Sequence, residues 1–239
     1  MNNRLFTADK AIIMAAGKGE RMRPLTLTTP KPLIKVNGER MIDTVIHALH
    51  RNNIYEIYVV VGYLKECFQE WVKDHPGVEL IENPYYDTCN NISSLFVARA
   101  HLENCMILDG DQIIYNPQIL DPKFRLSGYN AVWCEGETSE WLMQVKDDVV
   151  ISCSRTGGTH GWQLYSISRW NEEDGMKLRT YLEQEFESGN RQIYWDDVAM
   201  FCYFEKFKLG ILEMKKEDII EIDSIEELAE TDLSYQCML

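Results

Sequence analysis

The sequence predicts one α/β domain whose first half carries a mostly parallel sheet and whose second half is richer in strands. In the first half, buried apolar runs alternate with amphipathic stretches, a β-α-β rhythm that produces parallel strands with right-handed crossovers. In the second half, short apolar runs separated by charged or Gly-rich turns indicate a meander. The length of 239 residues suits a single domain of this kind.

The first half contains four predicted strands and three predicted helices. Each strand is a short apolar run bounded by turn residues, and each helix has one apolar face. The strands are predicted at 11–15, 57–61, 78–81 and 106–108, and the helices at 41–49, 64–72 and 92–102. Because ligands bind at the carboxyl ends of parallel strands, the functional site is expected in the loops that follow them.

The second half adds short strands and three further helices. Strands are predicted at 131–134, 142–145, 149–153, 163–167 and 219–222, and helices at 171–187, 193–201 and 224–230. Ser224 and Glu227 have the spacing of a capping box at the start of the last helix. The Gly-rich run from Arg155 to Gly161 is expected to form a turn. Since no linker or repeat interrupts the chain, we expect one domain over residues 1–239.

Composition excludes several classes of protein. The chain has 38 acidic and 24 basic side chains and a formal charge of -14, so it repels nucleic acid and anionic lipid. No apolar stretch approaches 18 residues, and the first 17 residues lack a signal-peptide layout. Seven scattered cysteines favour a reducing compartment over a disulfide framework or zinc cluster. We expect a cytoplasmic protein without nucleic-acid or membrane partners; no pattern indicates an oligomeric state.

A basic segment stands out from this acidic background. Residues 10–40 hold seven basic and two acidic side chains, and they include the loop Ala15-Ala16-Gly17-Lys18-Gly19-Glu20-Arg21. Glycines let main-chain N–H groups approach a phosphate closely. Met22 stands where a Rossmann fingerprint requires its third glycine, and no P-loop motif occurs. Charge alone is equally compatible with a polyanion site and with an exposed basic loop.

The loop and its neighbours carry a family resemblance. The pattern A-A-G-x-G-x-R-x-x-P-L-T, followed by Pro30-Lys31-Pro32-Leu33, resembles nucleotidyltransferases that activate sugar phosphates and related phosphomonoesters. Later motifs extend the resemblance over nearly the whole chain to bacterial CTP:phosphocholine cytidylyltransferases of the LicC type: Val61-Gly62-Tyr63, Asn83-Pro84-Tyr85-Tyr86, 90–95, Asp109-Gly110-Asp111, Glu140-Trp141, Tyr194-Trp195-Asp196 and Glu221-Ile222-Asp223-Ser224.

This resemblance implies a Rossmann-like, GT-A-like domain with a mixed, mostly parallel central sheet flanked by helices. It implies that residues of about 10–125 bind CTP, that about 126–239 bind the acceptor, and that Mg²⁺ assists CMP transfer to phosphocholine. Arg21 and Lys31 are the implied catalytic residues. The implied nucleotide site comprises Ala15, Ala16, Gly17, Gly19, Arg21, Asn90, Ser94 and Asp109. The implied acceptor site comprises Glu135, Trp141, Gly161, Tyr194 and Asp196, and the implied metal ligands are Asp111 and Asp223.

Several alternatives stay open. A trimethylammonium group is held by cation–π contacts and nearby carboxylates, but acids and aromatic residues in two clusters also suit phosphoethanolamine, 2-aminoethylphosphonate or a sugar 1-phosphate. A non-catalytic nucleotide-sensing protein would share the fold, although it would be expected to lose the charged residues retained here. A glycosyltransferase is suggested by the D-x-D pattern of Asp109-Gly110-Asp111, while the Gly-rich loop argues against it.

Overall fold

The computed structural model describes residues 4–238. Its centre is a nine-stranded mixed sheet. The strands are β1 (Lys10–Ala15), β2 (Glu56–Val61), β3 (Val78–Glu82), β4 (Cys105–Asp109), β5 (Gly128–Cys134), β6 (Leu142–Lys146), β7 (Val149–Ser154), β8 (Gly161–Trp170) and β9 (Gly210–Glu213). The sheet class expected from the sequence and its resemblance is confirmed.

The strand order places the ends of three parallel strands beside one another. The sheet runs β7-β6-β8-β4-β1-β2-β3, while β5 pairs with β8 and β9. β1 is parallel to both β2 and β4, with Ala15 opposite Val61 and Met14 opposite Asp109. The antiparallel strand β8 continues the sheet beyond β4, so both halves of the chain share one sheet.

Six α-helices pack against the sheet or beside it in residues 4–238. They are α1 (Met41–Arg51), α2 (Lys65–Trp71), α3 (Ile92–Val97), α4 (Glu172–Glu187), α5 (Trp195–Asp197) and α6 (Ile225–Thr231). Neighbouring strand residues point to opposite faces, so Ile13 packs with α1 and α2, and Ile12 packs with α3 and α4. Within this described part of the chain, every helix is too short or too polar to cross a membrane.

Two predicted helices differ from the structure. The helix predicted at 92–102 ends as an α-helix at Val97, and a 3-10 turn follows at Arg99–His101. The Arg99 guanidinium donates to the Phe96 carbonyl at 2.7 Å beside this end of the helix. The helix predicted at 193–201 begins at Trp195, because the Tyr194 N–H is capped by Asp197 at 2.8 Å, and it continues as a π-turn, Val198–Cys202.

Short ribbons outside the main sheet complete the chain. Lys35–Val36 pairs with Glu39–Arg40, Phe6–Thr7 pairs with Lys123–Phe124, and Gln112–Ile114 pairs with Ile219–Glu221. The last ribbon is antiparallel with Gln112 opposite Glu221, so Asp111 and Asp223 lie at the same end of it. The Ser224 hydroxyl accepts from the Glu227 N–H, which confirms the predicted capping box and fixes the chain just after Asp223.

Gly175 provides a test of the packing between α4 and the segment that connects α3 to β4. A Cβ at this position would lie 2.0 Å from the Leu102 carbonyl oxygen. Alanine improves helix propensity by about 1 kcal/mol, but the overlap with backbone forces the helix away. We expect Gly175→Ala to lower the free energy of unfolding by about 2 kcal/mol in urea titrations. Met176→Ala, at a neighbouring exposed position, is the control; a Gly175→Ala protein more stable than the parent would contradict this packing.

Candidate active site

The loop after β1 is shaped by Gly19. This residue has a φ of 59°, and a Cβ there would lie 3.0 Å from Thr26 Cγ2 and 3.1 Å from Lys31 Cβ. The Thr26 hydroxyl donates to the Gly19 carbonyl at 2.9 Å and holds the turn. A Cβ at Gly17, by contrast, would meet no protein atom within 4 Å. Glycine is therefore required by the fold at position 19, whereas at position 17 it leaves open space.

This loop forms one wall of a cavity of about 430 Å³. The cavity is lined by the predicted nucleotide residues Ala15, Gly17, Gly19 and Arg21 and by Lys31, Asp111 and Asp223. Ala16 is buried beside it, and its carbonyl accepts from the Tyr63 N–H at 3.1 Å. The structure thus brings the Gly-rich loop together with both basic residues predicted to be catalytic.

Lys31 joins the two predicted metal ligands. Its ammonium lies 2.6 Å from Asp111 Oδ2 and 2.6 Å from Asp223 Oδ1, although these partners are 80 and 192 residues away in the sequence. The Lys31 side chain is 9% exposed, whereas those of Asp111 and Asp223 are 30% and 39% exposed. Arg21 contacts Asp223 Oδ1 at 3.1 Å. Two carboxylates and two cations therefore meet at the cavity floor.

The charges of this cluster support one another. Burial by itself lowers the pKa of Lys31, but the Asp111 and Asp223 carboxylates outweigh burial and raise it above its ordinary value. Burial likewise acts to raise the pKa of Asp223, and Lys31 and Arg21 reverse that effect and lower it. Both side chains consequently stay charged at neutral pH.

A second cavity of about 350 Å³ lies next to the first and shares Arg21, Asp111 and Asp223 with it. Its remaining lining residues come from the end of β4, the middle of β8, the loops before α3 and β6, the start of α5 and the C-terminal ribbon: Asn91, Asp109, Glu140, Trp141, Leu164, Ser166, Tyr194, Asp196 and Glu221. The Trp141 and Tyr194 rings are perpendicular, with centroids 6.0 Å apart. Aromatic and acidic groups therefore share one cavity.

Three carboxyl groups of this second cavity have raised pKa values. Burial raises the pKa of Asp196 to about 7, and Asp197 adds to the shift. Burial also raises the pKa of Glu221 to about 7, with the carboxylates of Asp111 and Asp223 contributing. Burial and neighbouring carboxylates raise the pKa of Asp109 well above its ordinary value. A bound cation would relieve this concentration of acidic groups.

Besides Ala16, four predicted site residues line neither of the two cavities. Asn90 links two loops, because its backbone N–H donates to the Arg191 carbonyl and its amide to Gln192. The buried Ser94 hydroxyl accepts from the Asn83 amide at 3.1 Å. Glu135 accepts from the indole N–H of Trp133 at 3.1 Å. Gly161 begins β8 opposite Cys134.

Asp109, which the resemblance implies for the nucleotide site, lines the second cavity and not the first. The side chain of Lys18, a loop residue for which no contact is predicted, pairs with Asp87. Lys18 therefore joins the Gly-rich loop to the segment that follows β3.

Sequence reasoning missed Glu221, Ser166 and Asn91 as site residues. In the sequence, Glu221 is recognisable only by its position two residues before Asp223, because alternate residues of a strand face the same side. Ser166 becomes adjacent to Asp109 through the β8–β4 pairing, in which Ile167 is opposite Leu108. Asn91 reaches the site by accepting a hydrogen bond from the Trp195 N–H at 2.9 Å.

Asp111 and Asp223 are the side chains best suited to hold a divalent cation. Their oxygens converge on one cation, the Lys31 ammonium, and both remain accessible to the first cavity. Hard oxygen ligands of this kind suit Mg²⁺, which retains waters and takes further ligands from phosphates. Among residues 4–238, no three His, Cys, Asp or Glu side chains are arranged to bind a metal by themselves, so waters and phosphates would supply the further ligands.

Comparison with known proteins agrees with this geometry. Residues 11–160 match the MobA-like NTP transferase domain. The chain is 39% identical over 232 residues to the 2-aminoethylphosphonate cytidylyltransferase of Lancefieldella rimae, covering 96% of this chain and 94% of that protein. It is 32% identical over 219 residues to the choline-phosphate cytidylyltransferase of Streptococcus pneumoniae, covering 91% and 94%.

A solved structure gives the same result. The CTP:phosphocholine cytidylyltransferase of Streptococcus pneumoniae (LicC) superposes with a TM-score of 0.86 at 30% identity, covering 95% of this chain and 99% of that chain. The resemblance inferred from the motifs is confirmed by the matched family, these identities and this superposition. The chain therefore belongs to the MobA-like NTP transferase family and is a nucleotidyltransferase of the LicC type.

Proposed function

We propose that this nucleotidyltransferase transfers CMP from CTP to 2-aminoethylphosphonate, releasing pyrophosphate. The observation that carries the proposal is the junction of two cavities at Arg21, Asp111 and Asp223, which line both, with Lys31 joining the two carboxylates from the first cavity. The first has the open Gly17 backbone and basic side chains suited to a triphosphate, and the second has acidic side chains suited to an ammonium group. The relative from Lancefieldella rimae supports this acceptor.

The first cavity supplies what attack on an α-phosphate requires. A phosphonate dianion is already nucleophilic at neutral pH, so the main barrier is the approach of two anions and the charge on departing pyrophosphate. Lys31 lines the first cavity and pairs with Asp111 and Asp223, which line both cavities, so its buried charge would neutralise phosphorus groups at their junction. Arg21 lines both cavities and would hold the triphosphate in line. Positioning and electrostatic stabilisation therefore account for the proposed rate enhancement.

Asp111 and Asp223 would hold Mg²⁺ in this reaction. When bound, the cation would supply Lewis-acid stabilisation of phosphate charge. Lys31, which lines the same cavity as both carboxylates, would pair with phosphate oxygens there.

The second cavity would read the amine end of the acceptor. A primary ammonium donates up to three hydrogen bonds, and Asp109, Asp196 and Glu221 present carboxylates around one space. Burial and neighbouring carboxylates raise the pKa values of these acids, and a bound ammonium would offset both effects. An acceptor with its phosphonate at Lys31 and its ammonium among these acids satisfies both ends.

Phosphocholine is the second candidate acceptor. Its trimethylammonium group donates no hydrogen bond but binds aromatic faces, and the perpendicular Trp141 and Tyr194 rings offer such a corner. The choline-phosphate cytidylyltransferase of Streptococcus pneumoniae, at 32% identity, supports this alternative.

Pyrophosphate release across four nucleoside triphosphates and several acceptors tests the proposal. We expect the highest kcat/KM with CTP and 2-aminoethylphosphonate, because a primary ammonium would donate hydrogen bonds directly to Asp109, Asp196 and Glu221. Phosphocholine, phosphoethanolamine and sugar 1-phosphates are the comparison acceptors. A preference for phosphocholine would favour the aromatic corner instead, and absence of activity with folded protein would favour a nucleotide-sensing role.

Removal of one predicted metal ligand tests the catalytic cluster. We expect Asp111→Asn to lower kcat by at least about 100-fold, because the variant loses a carboxylate that would hold Mg²⁺ and with it the cation's stabilisation of phosphate charge. Glu20→Gln is a matched control, since Glu20 lines the same cavity but pairs with Arg23. Chelation of divalent ions should abolish pyrophosphate release in the parent, and Mg²⁺ should restore it. Activity of Asp111→Asn within a few-fold of the parent would remove Asp111 from this role.

The pKa of Asp196 predicts a pH dependence for acceptor use. Because this pKa is about 7, the carboxyl becomes neutral as the pH falls below that value and attracts a cation less. We expect kcat/KM for 2-aminoethylphosphonate to decrease as the pH is lowered, in proportion to the fraction of Asp196 that is still ionised. Asp196→Asn should lower kcat/KM at high pH and remove the contribution of Asp196 from the profile, leaving those of Glu221, whose pKa is also about 7, and of the acceptor itself. An unchanged profile in Asp196→Asn would assign the pH dependence to another group.

A further inference from the structure

The loop between β7 and β8 begins with Arg155, which contacts residues that support the second cavity. Its Nε and one terminal nitrogen donate to Asp197 Oδ1 at 2.8 and 2.5 Å. Its guanidinium also lies 3.7 Å from the centre of the Phe201 ring. The Asp197 side chain is only 5% exposed, while that of Arg155 is 50% exposed. Arg155 therefore supplies the cation that a buried carboxylate needs.

Both partners of Arg155 lead to the acceptor cavity. Asp197 Oδ2 accepts from the Tyr194 N–H at 2.8 Å and thereby fixes the residue at the start of α5. The Phe201 ring is nearly perpendicular to that of Trp141, with centroids 5.2 Å apart. Trp141 and Tyr194 form the aromatic corner of the cavity. One guanidinium thus supports both sides of this corner through its two contacts.

The backbone adds a further link between Arg155 and Trp141. Thr138 and Gly158 exchange two backbone hydrogen bonds of 2.9 and 3.0 Å. Gly157 has a φ of 76°, and a Cβ there would lie 1.8 Å from the Thr138 carbonyl oxygen. The Gly-rich segment is therefore in close contact with the loop that leads to Trp141. The turn predicted at 155–161 therefore requires glycine at position 157, because a side chain there would overlap the Thr138 carbonyl.

We infer that Arg155 is a positioning residue for the acceptor, holding α5 and the Trp141–Tyr194 corner in the arrangement that receives the ammonium group. The inference rests on the proposed function of the second cavity. In this arrangement the two neighbouring acids have different roles. Arg155 neutralises Asp197, while Asp196 remains available to bind the ligand. Pairing with Asp197 also keeps the charge of Arg155 from repelling a cationic acceptor.

Variants of Arg155 test the inference through separate kinetic constants for the two substrates. We expect Arg155→Met to raise the KM for 2-aminoethylphosphonate about tenfold, corresponding to about 1.4 kcal/mol, with the KM for CTP changed less than about twofold. Arg155→Lys keeps the charge beside Asp197 but lacks the planar group over Phe201, and its KM should be intermediate. Arg179→Met is a matched control because Arg179 pairs with Glu183 on the surface of α4.

The double variant Arg155→Met/Asp197→Asn distinguishes positioning from general loss of stability. Removing the unpaired buried carboxylate should recover part of the acceptor KM, because the two residues act as one unit. Parallel changes in both KM values and in kcat that follow Tm across the variants would overturn the inference, as would an unchanged acceptor KM in Arg155→Met. Failure of the parent protein to use any aminoalkyl acceptor would instead reject the proposed function before these variants are compared.

Discussion

The contact of the Lys31 ammonium with Asp111 and Asp223 is the interaction on which the arrangement of the site depends. Without a cation, two carboxylates this close would repel each other, and without the carboxylates a buried ammonium would tend to lose its proton. The three residues follow β1, β4 and the C-terminal ribbon, respectively. The site is therefore complete only when the end of the chain has paired with the loop after β4.

This cluster also separates two differently lined parts of the site. Towards the Gly-rich loop, Lys31 and the open Gly17 backbone line the first cavity, whereas the residues found only in the second cavity include four acids and no basic side chain: Asp109, Glu140, Asp196 and Glu221. A small acceptor with an anionic and a cationic end would be oriented by this difference before any specific hydrogen bond forms. Such orientation places the nucleophilic oxygen near the triphosphate, which is the largest contribution expected in a reaction that needs no protein nucleophile.

The sequence predicts the parallel half of the sheet well, because buried runs such as 11–15 and 57–61 are local signals. It does not predict β9, Gly210–Glu213, whose pairing partner β5 lies about 80 residues earlier. Glu221 and Ser166 were missed for a related reason, since their place in the cavity depends on strand register. The meeting of Asp111 with Asp223 followed from family resemblance, not from spacing.

Whether the second cavity would prefer a primary or a quaternary ammonium depends on the balance between its acids and its aromatic rings. Charge attraction weakens with distance, and three methyl groups keep a quaternary nitrogen farther from Asp196 and Glu221 than a primary ammonium would be. The rings of Trp141 and Tyr194 would compensate only if they enclosed the methyl groups. Among the described residues they form a corner, and Tyr194 is 50% exposed. Since Asp196 is buried whereas Tyr194 is half exposed, the proposed function favours a cation that donates hydrogen bonds.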